Sequence, residues 1–227
     1  MKIIKSKTLV LAFTFISFFS GHNAIAASLE GLSIGVGYNF SAFMGTGKET
    51  KTGSGGDSTV VDTTEETGAF QDEVASIFVE YDLGPLSLGL EYVADDMTTP
   101  SNTNVQDNNN GDGTTNTVKA TFKDHTTLYA NIDMPFNTFL KLGYQQVDIA
   151  TQENLGTGNS YNDADTDGYT LGLGYNHIVD SGVFFRAELS AHAYDDISAS
   201  GTVDSSKKVD VTDMYGASAS IKIGKTF

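Results

Sequence analysis

Tyr215-Gly-Ala-Ser-Ala-Ser-Ile-Lys-Ile-Gly-Lys-Thr-Phe227 closes the chain, and its side chains alternate. Tyr215, Ala217, Ala219, Ile221, Ile223 and Phe227 share one face, Gly216, Ser218, Ser220, Lys222 and Gly224 the other, and Lys225 is the one polar intruder on the apolar face. A two-residue period marks a strand with two unlike faces. It recurs at Leu32, Ile34, Val36, Tyr38 and Phe40, at Leu86, Leu88, Leu90 and Tyr92, and at Tyr169, Leu171, Leu173 and Tyr175. Noisier versions run from Glu73 to Tyr81, Val118 to Ile132, Thr138 to Val147 and Phe184 to Tyr194, which makes eight predicted strands.

The predicted connections alternate in length. Asp82-Leu-Gly-Pro85, Asp133-Met-Pro-Phe136 and Asp180-Ser-Gly182 carry turn formers. Between them, polar stretches at 46–68, 95–116, 150–167 and 195–208 read as long loops, whose Asp, Asn, Thr and Gly content favours mobility over a packed site.

At the other end, Lys2, Lys5 and Lys7 precede an apolar run from Thr8 to Phe19 and the small-x-small site Ala24-Ile-Ala26. This is the pattern of a cleaved export signal over 1–26, and the run is short of the ~20 apolar residues of a membrane helix. A single mature domain, 27–227, follows. Losing three lysines and no acids leaves 10 basic side chains against 29 acidic ones, a formal charge of −19 in place of −16. That sign opposes nucleic-acid binding. Without cysteine there is neither a disulfide framework nor a thiolate site.

No mature segment reaches the ~18 apolar residues of a spanning helix, so a closed barrel is the remaining way across a bilayer. Alternation alone also fits a soluble eight-stranded barrel with its apolar face inward around a ligand. Two features favour the membrane form. The polar face is crowded with glycine (Gly35, Gly37, Gly89, Gly143, Gly172, Gly174, Gly216, Gly224), which suits a narrow interior. Aromatics gather toward strand ends, with Tyr81, Phe136, Phe139, Tyr175, Phe184 and Phe227 at the turn rim and Tyr38, Phe40, Tyr92, Tyr144, Tyr169 and Tyr215 at the loop rim, as two interfacial girdles. The expected fold is all-β: an eight-stranded antiparallel, up-and-down transmembrane barrel with short periplasmic turns and long extracellular loops, exported to the cell outer membrane.

On these residues the chain resembles the small bacterial outer-membrane β-barrel family, which includes the OmpA transmembrane domain and OmpX-like proteins. The resemblance covers essentially the mature length and rests on pattern. It implies that Ile221, Ile223 and Phe227 form a C-terminal signal for the barrel-assembly machinery, with Lys225 departing from the family's apolar habit two residues before the end. It implies a monomer among outer-membrane lipids and lipopolysaccharide. The peptidoglycan-binding domain of full-length OmpA is not expected.

Glu80, Glu91, Lys141, Arg186, Glu188 and Lys222 fall on the predicted inner face, three acids and three bases. In a narrow lumen such ions must pair or bear a large desolvation cost. A structural ion-pair ladder is the plain expectation; the resemblance adds a switch that gates small conductance. A wide pore is not expected, since aqueous channels take roughly 16–18 strands.

Ser190, His192 and Glu188 share the inner face, but the spacing is Ser-x-His, the reverse of the His-x-Ser in outer-membrane deacylases, so no catalytic set is expected. His125 and His177 read as solvated rim residues. Asp163-Ala-Asp-Thr-Asp-Gly168 matches the first half of a calcium loop, yet the acid required at its twelfth position is Gly174. A solvated acidic loop is expected there, and no cofactor or metal. The resulting expectation is a non-enzymatic structural or surface-interacting barrel, with a small-solute channel as the alternative.

Overall fold

The computed structural model describes residues 30–53, 59–107, 113–156 and 159–227. The predicted export signal lies outside them. Among the described residues there are eleven strands: β1 (Leu32–Thr52), β2 (Val60–Asp82), β3 (Leu86–Val93), β4 (Met97–Thr98), β5 (Asn102–Asp107), β6 (Gly113–Met134), β7 (Thr138–Leu155), β8 (Ala164–Ile178), β9 (Val183–Tyr194), β10 (Ile197–Ser200) and β11 (Lys207–Thr226). Eight form an antiparallel ring in the order β1-β2-β3-β6-β7-β8-β9-β11, closed by β11 on β1. The short β4 and β5 lie on β6, and β10 on β11, beyond the ring.

Each of the eight predicted segments forms part of one ring strand. Ile34, Val36, Leu171, Leu173, Ile221 and Ile223 are exposed on the outside, while Ser33, Asn39, Ser76, Thr170 and Ser220 are buried inside. The turns also fall where Asp, Gly and Pro cluster, with φ of 96° at Gly84 and 80° at Gly182.

The long loops do not. Residues 46–52 continue β1 and residues 60–68 continue β2 as a paired ladder, in which Thr46 faces Thr67, Lys48 faces Glu65 and Lys51 faces Asp62. β-branched threonines favour the strand, and opposite charges directly across it stabilise the pair. At ~3.3 Å per residue the 21 residues of β1 run on the order of 70 Å, against the ~9–11 residues of a membrane-crossing strand. The wall therefore continues well outside the bilayer. Likewise β4, β5 and the start of β6 take up part of the stretch read as a loop at 95–116, and β7 and β8 part of that at 150–167. Asp163 to Asp167 mostly belongs to the extended chain of β8 rather than to a curled loop.

The remaining loops are packed in part. Asn159 is buried, and its side-chain oxygen accepts from the amides of Val203 and Asp204 at 3.3 and 3.0 Å, which ties the connection before β8 to the one before β11.

Candidate functional site

The lumen at membrane level is filled by side chains. At the turn end, the Arg186 guanidinium on β9 donates both terminal nitrogens to Glu80 on β2, at 2.6 and 2.8 Å. Tyr129 Oη and Asn131 Nδ2 on β6 also donate to Glu80, at 2.9 and 2.7 Å. One level up, Lys141 Nζ on β7 lies 3.0 Å from Glu91 on β3 and 2.9 Å from Glu188 on β9. Lys222 Nζ on β11 lies 2.6 Å from Glu91 and 3.5 Å from Glu188. Ser76 and Ser190 donate to the same two carboxylates, at 2.8 and 3.0 Å.

The six ions are all buried and equal in number of each sign. They connect β2, β3, β7, β9 and β11 across the barrel. Charges removed from water need partners and hydrogen bonds in this way, and the two cations on two carboxylates at the upper level supply both.

Aromatic rings complete the plug, and here two sequence expectations fail. Phe139 and Phe184 are not girdle residues: both are buried inside, and Phe184 is almost wholly covered. With Phe78 they surround Arg186, whose guanidinium carbon stands 5.0 Å from the Phe139 and Phe184 ring centres and 5.5 Å from that of Phe78. Glycine makes room for them. A Cβ at Gly35 would collide with the Phe78 ring, at Gly174 with Phe139, at Gly224 with Phe184 and at Gly89 with Tyr129. Of the remaining girdle residues, Phe136, Tyr175 and Phe227 are exposed at the turn end and Tyr38, Phe40, Tyr144, Tyr169 and Tyr215 at the other, while Tyr81 and Tyr92 are half-buried.

Above the ions the lumen narrows to a polar cavity of about 40 Å³. His192 lies in it, with Nδ1 3.2 Å from Gln145 Oε1 and Nε2 2.9 Å from Ser218 Oγ. Ser190 instead gives its proton to Glu188, so the Ser190–His192 pairing that hydrolysis would need is not formed. His125 is buried beside Tyr194, not solvated at the rim, because the chain bulges there. His177 is exposed as expected. Among the described residues no group of three His, Asp or Glu is gathered to hold a metal.

A closed ring, an apolar exterior and a plugged polar lumen define a membrane barrel, and the family model for the outer membrane protein beta-barrel domain matches residues 11–221. The chain belongs to this family. The protein accordingly resides in the outer membrane, in its lipid and lipopolysaccharide environment. The outer membrane protein OprG from Pseudomonas aeruginosa is similar in fold at 12% identity and a TM-score of 0.53, over 87% of this chain and 98% of that one. The outer membrane protease OmpT from Escherichia coli aligns at 9% identity and a TM-score of 0.47, over 86% and 97%. No curated protein sequence matches.

In this family barrel the C-terminus lies at the closing seam. Phe227 N donates to Leu32 O and Gly31 N to Phe227 O, both at 2.9 Å. Ile221, Ile223 and Phe227 face outward, and Lys225 Nζ stands 5.3 Å over the Phe227 ring.

Proposed function

We propose that the protein is a non-enzymatic outer-membrane barrel that is closed to bulk solute at membrane level and acts through its walls and extracellular surface, stabilising the membrane and contacting other molecules from outside. The buried six-ion network carries this reading, because a lumen packed with paired ions and rings leaves no continuous water path. Strands β1 and β2, extended far beyond the bilayer, support the surface role by presenting a stiff, highly charged wall.

The same reading assigns residues 1–26 to a cleaved export signal. Ile221, Ile223 and Phe227 become the segment recognised by the assembly machinery, and the working unit is a monomer in contact with lipopolysaccharide. Single-channel recording on refolded protein in a planar bilayer tests it. The expected trace is flat; regular, voltage-stable conductance steps would favour small-solute passage instead. A deletion strain scored for envelope stress, adhesion and phage sensitivity then reads the surface role.

A further inference from the structure

At the extracellular end of the ring the lumen widens into a mainly apolar cavity of about 710 Å³. Its floor is a row of rings, with Phe43 on Phe70 and Phe70 on Phe122, each pair stacked at 5.4 Å between centroids. Along β6, β7 and β11 its walls invert the pattern of the membrane-level barrel. On β7 the inner face changes from Lys141 and Gln145 to Val147 and Ile149 without any break in alternation.

On β6 the change needs a bulge. Below it Thr127 faces Gln145, and above it Phe122 faces Ile149, so the inward parity switches from odd to even. Asp124, at φ 50°, takes up the extra residue. Phe122, Ala120 and Val118 thereby turn inward, where unbroken alternation would have put Lys123, Thr121 and Lys119.

β11 does the same. Gly216 faces Phe43 below, Val211 faces Gly47 above, and Asp213 sits at φ 52° between them. Val211 and Val209 face the cavity in place of Thr212 and Asp210. Aspartate is among the few residues other than glycine that visit this backbone region readily.

Two bulges that each bring apolar side chains to the lumen are hard to reconcile with a water-filled vestibule, which needs neither. The charged groups at the rim balance in sign: Lys48 and Lys119 against Glu49 and Glu66. Glu49 is ion-paired with Lys207 at 3.0 Å, and Glu66 accepts from Asn102 at 2.7 Å. A charged ligand gains little from such a rim. The volume lies within the range of ordinary small-molecule sites, and a floor of stacked rings favours a flat, apolar partner.

We propose that this cavity binds an uncharged, planar, mainly apolar small molecule, admitted from the extracellular side and held above the plugged lumen. The chain contains no tryptophan, so Val118→Trp places a single reporter on the cavity wall, and Thr63→Trp serves as the control on the exposed outer face. Both are refolded into nanodiscs of unbrominated phosphatidylcholine and titrated with 1-bromonaphthalene, an uncharged planar quencher. Saturable quenching is expected at position 118 and only linear quenching at 63. Adding Val209→Asp and Val211→Asp to the reporter should weaken binding at least about tenfold, while the unboiled protein still migrates as a folded barrel. If Val118→Trp does not fold, Ile197→Trp replaces it.

Quenching that is linear at both positions, or that the aspartates leave unchanged, would overturn the proposal. So would strong quenching of the reporter in nanodiscs of bromine-labelled acyl chains without added probe, since the space would then belong to bilayer lipid.

Discussion

Within one continuous wall, the membrane-level half and the extracellular half of this barrel are built on opposite faces. Below about Gln145, apolar side chains face lipid and ions fill the lumen; above it, on β6, β7 and β11, valine, isoleucine and phenylalanine face the lumen while lysine and aspartate line the outside. The backbone is the same pleated ring throughout. Solvent decides the difference: lipid outside demands an apolar exterior, and water outside rewards burying that apolar face. On β7 the inversion is written in the sequence alone; on β6 and β11 a bulged aspartate performs it.

The lower half should be the more sensitive to loss of a charge. Arg186→Ala leaves Glu80 buried with only Tyr129 and Asn131 as donors, and should cost on the order of 3–5 kcal/mol, read as a lowered urea midpoint for the refolded barrel. Replacing Arg186 and Glu80 together by leucine should recover most of that, because the uncompensated charge disappears with its partner. An unchanged midpoint for the single variant would mean that water reaches the pair.

The glycines offer a sharper contrast between the halves. Gly174→Ala drives a methyl into the Phe139 ring and should cost roughly 1–3 kcal/mol. Gly68→Ala, where a Cβ meets nothing within 4 Å, should leave the same midpoint unmoved. Equal effects would show that the lumen is not close-packed.

Deleting Phe227 removes about 1.5–3 kcal/mol of ring burial at most, so the barrel refolded in detergent should lose little. Insertion in cells should fall much further if this residue is read during assembly. Normal outer-membrane levels of the deletion variant would remove the signal role.

The smallest effect belongs to the extracellular loops. The hydroxyl and then the amide of Ser206 donate to Asp204 and hold its carboxyl below the ordinary value of 3.8. A lowered folded-state value means that this contribution is complete above the unfolded value and fades as pH falls through the folded one. The protection factor of the Ser206 amide, its exchange relative to the unstructured rate at the same pH, should therefore fall only in that acid window, and Asp204→Asn should abolish that fall.

Strand number, face and the six lumen ions were legible because each follows from parity: Glu80, Glu91, Lys141, Arg186, Glu188 and Lys222 stand on the inner side of regular alternations. The same rule would have turned Phe139 and Phe184 inward, since they share parity with Lys141 and Arg186. Their nearness to strand ends suggested a girdle instead, and the glycines opposite them were the missed sign. The extent of the wall was obscured because paired strands in water need no apolar face, so Thr-rich and charged sequence looks like loop. The bulges at Asp124 and Asp213 left no clear sequence mark beyond the irregularity of the fourth segment.

The inversion can be tested directly because the chain has no cysteine. Single cysteines at Leu142, Gln145 and Asp148 sample lipid, the plugged lumen and the outer surface along one strand. Exposed to a membrane-impermeant maleimide in whole cells, Asp148→Cys should label rapidly while Leu142→Cys and Gln145→Cys stay unlabelled until the protein is boiled. Labelling of Gln145→Cys as fast as Asp148→Cys would mean an open, water-filled lumen and would contradict the account.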